Sequence, residues 1–223
     1  MAITVEPRVG SFQKVVTSKA ELRAIMGEPS GRAVWKEHAT LDEHSRNFIA
    51  HSPFLLLGTA SANGDCDVSP KGDAPGFVRV LDEHTLVIPD RKGNRRIDSL
   101  LNVVDNPHVG LLFLIPGMDE TLRVNGRAVV VQDDALLDSM IVEGKRPQVA
   151  IVVTVEQVFL HCARSFLRSH LWDPTRFVSP TALPSFSRMI LDLTRPADRP
   201  DEEHEKLVKE AEDATCEAYK VLY

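Results

Sequence analysis

Several features are missing from this 223-residue sequence, and each absence removes a class of function. No stretch approaches the roughly 18 uncharged apolar residues that a membrane-spanning helix needs. The start, Met1-Ala2-Ile3-Thr4-Val5-Glu6, lacks the basic-then-apolar order of a secretion signal. The expectation is a cytoplasmic protein with no membrane partner. Cysteine is scarce: Cys66, Cys162 and Cys216 are odd in number, far apart and free of any C-x-x-C spacing. Neither a disulfide framework nor a zinc knuckle is indicated, and the three read as structural thiols. The eight histidines form no His-x-x-x-His or His-Glu-x-x-His box, so no metal site is expected. There is no Gly-x-Gly-x-x-Gly, no Walker loop and no Gly-x-Ser-x-Gly elbow, which disfavours the common dinucleotide, nucleoside-triphosphate and hydrolase folds. A formal net charge of −6 argues against a general nucleic-acid partner, because covering backbone phosphates needs a basic surface.

What is present is ordinary globular composition, 43% hydrophobic and 26% charged, enough for one domain with one core. Ser18-Lys19-Ala20-Glu21 has the form of a capping box and predicts a short helix that stops near Gly27 and Pro29. Thr40-Leu41-Asp42-Glu43 repeats that signal ahead of a helix with Leu41, Phe48 and Ile49 on one face. Residues 1–52 therefore read as a helical N-terminal extension. Strand signals then take over. An apolar run over residues 54–60 is closed by a turn containing Asn63-Gly64 and answered by a strand over 66–69. Residues 77–81 and 85–89 form a second hairpin. A helix is expected over 95–104, where Ile97, Leu100, Leu101 and Val104 recur at helical spacing before Asn106-Pro107. Strands over 109–115, 121–132 and 149–161 follow, with a short helix over 134–143. Six or seven antiparallel strands favour a closed barrel, so the fold class is mainly β with flanking helices and a barrel core at 53–161. Residues 162–223 read as a C-terminal helical segment. Leu207, Ala211, Ala214, Ala218 and Leu222 make a narrow stripe there that would pack on the barrel or on a second subunit. A linker is expected over 194–201.

Four segments carry candidate chemistry. Asp90-Arg91-Lys92-Gly93-Asn94-Arg95-Arg96 places four basic residues in seven around a glycine, between a strand end and an expected helix start. A helix N-terminus favours anions, and adjacent arginines grip phosphate oxygens well. Either the segment is a solvated basic turn or it holds an anion. Val68-Ser69-Pro70-Lys71-Gly72-Asp73-Ala74-Pro75-Gly76 is a stiff loop that lets a backbone approach a ligand, or simply a connector. Thr121, Arg123 and Asn125 alternate onto one face of a strand. After the last strand, Arg164 and Arg168 share a helix face beside Ser165, with Trp172 beyond, a surface suited to a flat ligand or to a partner subunit.

The order of these pieces is more specific than any one of them. A strand ending in Val87-Ile88-Pro89-Asp90 is followed by Gly93-Asn94-Arg95-Arg96 and a helix, then Asn106-Pro107, Val109-Gly110-Leu111-Leu112-Phe113, and Glu120-Thr121-Leu122-Arg123-Val124-Asn125-Gly126-Arg127. Over residues 53–160 this resembles the pyridoxamine 5′-phosphate oxidase-like split-barrel family. Ser69-Pro70-Lys71-Gly72-Asp73, Gly76-Phe77-Val78-Arg79-Val80 and the 162–172 segment are similar to a bacterial subgroup of FMN-dependent enzymes. The resemblance implies a split antiparallel barrel and a homodimer with FMN at the subunit interface. It implies that Asn94, Arg95 and Arg96 grip the FMN phosphate, bordered by Pro89 and Asp90, with Lys71 a second cation. Val78, Arg79 and Val80 would lie on the strand facing the ring, and Thr121 would stand in the place of a family glutamine. Arg164, Ser165, Arg168 and Trp172 would come from the partner chain. The Arg-x-x-x-Leu-Lys signature of the true oxidases and their C-terminal Arg/His pair are missing, and the helix after the phosphate loop reads one turn longer. Pyridoxamine phosphate is therefore not the expected substrate. The implied activity is FMN-dependent hydride transfer with an unidentified small molecule. The alternatives are a flavin-binding protein without turnover, or a barrel holding haem or a deazaflavin. No catalytic acid or base is identified; Lys71, Asp73 and Arg168 are the nearest candidates.

Overall fold

In the computed structural model, residues 12–222 are described, and they divide between Glu37 and His38 into two units. In the first unit, α1 (Lys19–Met26) forms as its capping box predicts. Ser18 Oγ accepts from the Glu21 amide at 3.1 Å, and Gly27 ends the helix at φ 75° with its N–H on Arg23 O. A second helix, α2 (Gly31–Trp35), has no counterpart in the sequence reading.

The second unit opens with α3 (Glu43–His51). Its cap is Asp42, whose carboxylate accepts from the Ser45 amide at 2.8 Å, so the helix starts two residues later than a Thr40 cap would set it. That shift places Leu41 just ahead of the cap, where it is buried with Ile49 against the barrel core.

Seven strands follow: β1 (Phe54–Ala60), β2 (Cys66–Gly72), β3 (Arg79–Val80), β4 (Thr85–Pro89), β5 (His108–Leu114), β6 (Thr121–Val131) and β7 (Ala150–His161). All pairings are antiparallel, in the order β2-β1-β5-β6-β7-β4-β3. Alternation on β1 buries Leu55 and Leu57, and β5 answers with Val109, Leu111 and Phe113. These residues join Leu86, Ile88, Leu122, Val124, Ile151 and Val153 in one cluster, the barrel interior. The sheet does not close through backbone pairing. Its edges are β2 and β3, so the barrel is the split one that the family resemblance implies, not the closed one that strand count alone favours. One reason is β3, which pairs over two residues only: Gly76 (φ 85°) and a turn from the Phe77 amide to Ala74 O deliver Val78 into the core before pairing begins.

The two long strands bend by a bulge. Between Asn125 and Gly126 the β6/β7 register shifts, and a Cβ on Gly126 would lie 2.1 Å from Thr154 O.

Helix boundaries differ from expectation where local chemistry competes. α4 (Asp98–Asp105) starts three residues after Arg95, because Arg95 (φ 63°) and Ile97 (φ 53°) are left-handed. α5 (Asp134–Asp138) stops five residues before the expected end at 143, and a tight turn over 142–145 follows it. After β7 come α6 (Arg164–Ser169), α7 (Phe186–Leu193) and α8 (Asp201–Ala218). The connection between α7 and α8 falls in the expected linker. The α8 stripe is displaced from the sequence reading: His204 and Val208 are buried, while Ala214, Ala218 and Leu222 are exposed. The surface it meets is α7, an unanticipated helix, through Ser187 Oγ to Thr215 Oγ1 at 2.9 Å and His204 Nε2 to Asp192 Oδ1 at 2.7 Å. All three cysteines are free and exposed.

Two measurements check these assignments. Gly126→Ala forces the bulge against Thr154 O and should cost about 1–3 kcal/mol in urea unfolding. Asp42 has its carboxyl held below the usual 3.8, first by the side-chain hydrogen bond with Ser45. A lowered folded value gives stability that is present above the unfolded pKa and is lost as pH falls through the folded one. Asp42→Ala should thus cost about 1 kcal/mol at neutral pH and progressively less in acid.

Candidate functional site

The open edge of the barrel is fastened by charge. At the end of β2, Lys71 Nζ lies 3.1 Å from Asp90 Oδ1, just past β4. Two residues on, Asp73 Oδ2 meets Arg91 Nε at 2.7 Å, with the Asp73 side chain 1% exposed. The same guanidinium donates to Met140 O at 2.9 Å. These contacts bring the β2 end beside the β4 end, which backbone pairing does not do.

The chain then runs through Lys92-Gly93-Asn94-Arg95-Arg96 before α4. Asn94 Oδ1 accepts from the Arg96 amide at 3.0 Å, a turn held by its own side chain. Arg95 and Ile97 both sit at positive φ, where a β-branched residue such as Ile97 is strained. The helix-start argument for Arg95 and Arg96 therefore changes. Asp98 occupies the first turn of α4 and already complements its dipole, and Arg96 Nε pairs with Asp98 at 2.8 Å. The arginines belong to the loop, not to the helix.

This loop and β2 border a cleft of about 840 Å³, near the upper end of the range for small-molecule sites of roughly 300–1,000 Å³. Seven basic and three acidic side chains line it. Each acid is engaged: Asp90 with Lys71, Asp98 with Arg96, and Asp67, whose Oδ2 accepts from Asn102 Nδ2 at 2.8 Å. Arg91 is held by Asp73, and Arg146 by Asp134 and by Asp138 at 2.6 Å. The side chains of Lys92, Arg95 and Lys145 have no carboxylate or hydrogen-bond partner among the described residues. Beside this charge lies apolar surface: Val68 and Ile97 line the cleft while 67% and 49% exposed, together with Pro70, Phe77 and Leu100. Such a cleft can hold a ligand with an anionic end and a flat, largely apolar body.

Of the residues singled out in the sequence, Lys71, Pro89, Asp90, Asn94, Arg95 and Arg96 line this one cleft. Val78 is buried in the core, Val80 packs against it, and Thr121 is buried at the start of β6. Arg79 turns to Ser139, bonding its Oγ at 2.7 Å and its carbonyl. Arg164, Ser165 and Arg168 lie on α6, and Trp172 Nε1 donates to Met118 O at 2.9 Å; none of the four lines the cleft of its own chain. Lys145 and Arg146 were missed. Their signal was a basic pair after a Glu-Gly turn and before Pro147, unremarkable until the fold carries it to the cleft.

A profile described as pyridoxamine 5′-phosphate oxidase matches residues 41–162, more than half of the chain. The chain belongs to this family. The match spans α3 and the whole split barrel. Among solved structures, HupZ from Group A Streptococcus shares 17% identity over 53% of this chain and 92% of its own, with a TM-score of 0.44. An FMN-binding protein from Syntrophomonas wolfei shares 12% over 64% and 97%, with a TM-score of 0.41. HutZ, a heme storage protein from Vibrio cholerae, shares 16% over 54% and 93%, with a TM-score of 0.39. At these values none of them decides a ligand for this member of the oxidase family. No curated protein sequence matches the chain. Among the described residues no helix is long and apolar enough to cross a membrane, and no cluster of His, Cys, Asp and Glu is suited to a metal ion.

If the ion pairs fasten the barrel edge, removing one partner leaves a buried charge alone. Asp73→Ala should destabilise by about 3–5 kcal/mol, whereas the more exposed Arg96→Ala should move the urea midpoint little.

Proposed function

We propose that this protein binds FMN in the basic cleft and works as an FMN-dependent oxidoreductase on a small organic substrate other than pyridoxamine phosphate. The observation that carries the reading is the juxtaposition of partnerless cations with exposed apolar side chains in one cleft of a member of this family. The donor set fits the group. Lys92 and Arg95 would hold the phosphate, with Asn94 shaping the loop. Val68, Ile97 and Phe77 offer apolar surface suited to the ring. Bound FMN would supply hydride transfer at N5; the protein supplies binding, orientation and a site that limits water.

No side chain is assigned as acid or base. Lys71 and Asp73 are committed to ion pairs, and Arg168 does not line the cleft of its own chain. That leaves proton transfer to substrate or solvent. The reading includes a homodimer in which Arg164, Ser165, Arg168 and Trp172, none of which lines the cleft of its own chain, complete the partner's site. It also includes a cytoplasmic location.

The test begins with colour. Purified protein should be yellow or take up FMN stoichiometrically; a protein that binds haem instead, or no chromophore, overturns the reading. Arg95→Ala should weaken FMN binding roughly 10- to 100-fold, the loss of one charge-assisted hydrogen bond, measured by flavin fluorescence quenching. Arg96→Ala, whose guanidinium is already on Asp98, should change the Kd by less than about threefold. Bound flavin that no donor reduces faster than free FMN would leave a binding protein without turnover.

A further inference from the structure

The cleft holds more positive charge than a cofactor phosphate needs. A phosphomonoester carries about −1.5 to −2 at neutral pH, which Lys92 and Arg95 match from a single loop. The side chain of Lys145 is a third cation without a partner among the described residues, and it comes from a different segment, the turn between α5 and β7.

That turn fixes the backbone from which the lysine projects. Lys145 and Val142 exchange backbone hydrogen bonds, Lys145 N–H to Val142 O at 2.8 Å and Val142 N–H to Lys145 O at 3.2 Å. Glu143 (φ 49°) and Gly144 (φ 73°) between them give the tight left-handed turn such a pair requires. The neighbouring Arg146 is anchored to α5 through Asp134 and Asp138. On the other side, the buried Pro147 leads toward β7. The acid of the turn, Glu143, is not a cleft residue and makes no ion pair with Lys145. Two of the three acids of the lining are ion-paired and the third, Asp67, accepts from Asn102 Nδ2; none of them pairs with this ammonium.

We propose that Lys145 is a second anion-binding residue of the cleft, taking the phosphate or carboxylate of the redox substrate while Lys92 and Arg95 hold the cofactor's phosphate. The proposal rests on the flavin reading of the cleft and adds a substrate class to it: small molecules bearing an oxyanion, not neutral ones. A lysine suits the role, being a compact point charge that accepts either oxyanion without the paired geometry an arginine demands.

The experiment titrates FMN into wild-type protein, Lys145→Ala and Lys145→Arg, and then titrates inorganic phosphate and, separately, acetate into each FMN-saturated protein by calorimetry. Thermal unfolding confirms that each variant is folded. Wild type and Lys145→Arg should bind at least one of the two anions, Lys145→Ala should bind it at least about tenfold more weakly, and FMN affinity should stay within about twofold in all three. Preference for phosphate would name a phosphorylated substrate, and preference for acetate a carboxylate. Loss of FMN affinity in Lys145→Ala comparable to that in Arg95→Ala overturns the proposal by making Lys145 a cofactor ligand. Anion binding unchanged by Lys145→Ala, or absent in wild type, also overturns it while leaving the flavin reading standing. Failure of wild type to bind FMN sinks the flavin reading and this inference with it.

Discussion

The structure depends on how an open sheet is kept closed enough to enclose a core. Backbone hydrogen bonds run from β2 through β1, β5, β6, β7 and β4 to β3 and stop there. At the gap, Lys71 to Asp90 and Asp73 to Arg91 take over. Ion pairs of this kind add little net stability over well-packed apolar residues, since desolvation consumes most of the Coulomb gain. What they add is position. With Asp73 almost fully buried, sliding β2 past β4 by one residue would strand a charge, so the fastening fixes register where no ladder can. The same fastening brings the edge of β2 and the loop after β4 onto one cleft, so the seam of the barrel and the site are one construction.

Much of this was legible in the sequence because it is written in short-range chemistry. Asn63-Gly64 announces the first hairpin, and the apolar run along residues 54–60 and the strand signal over 109–115 mark strands whose buried face the structure then defines. Asn94-Arg95-Arg96 stood out by charge density. The readings that shifted did so where two local signals compete. Ile97, Leu100, Leu101 and Val104 have helical spacing, but the turn held by Asn94 and the left-handed residues at 95 and 97 consume the first turn before α4 can start. Thr40 and Asp42 are both good caps, and burial of Leu41 favours the second.

What was not legible is long-range. No local pattern distinguishes Lys145 from any surface lysine, and only the course of β7 beside β4 brings the turn ahead of β7 near the loop that follows β4. Nor does spacing say that α8 would turn its His204 and Val208 side, not its alanine stripe, toward a neighbour. That depends on α7, whose Ser187 and Asp192 offer polar partners. On α7 the apolar side chains Phe186, Ile190 and Leu193 are left exposed. The hairpin therefore coheres through hydrogen bonds as much as through apolar burial.

The distribution of charge ties fold to function more firmly than the total does. A chain with net charge −6 repels anions at long range, yet its cleft presents a surplus of cations against acids that are all engaged. The acidic excess lies elsewhere, as in Asp201, Glu202 and Glu203 at the start of α8, where the helix dipole favours it. A positive concavity on an acidic body focuses field within about a Debye length, some 8 Å at physiological salt. Anions are thus drawn only once they are near the mouth. On the proposed reading, such an arrangement would favour a small anionic ligand over a polyanion, which needs a basic surface along its length. Net charge and local cluster therefore point to the same class of ligand from opposite directions.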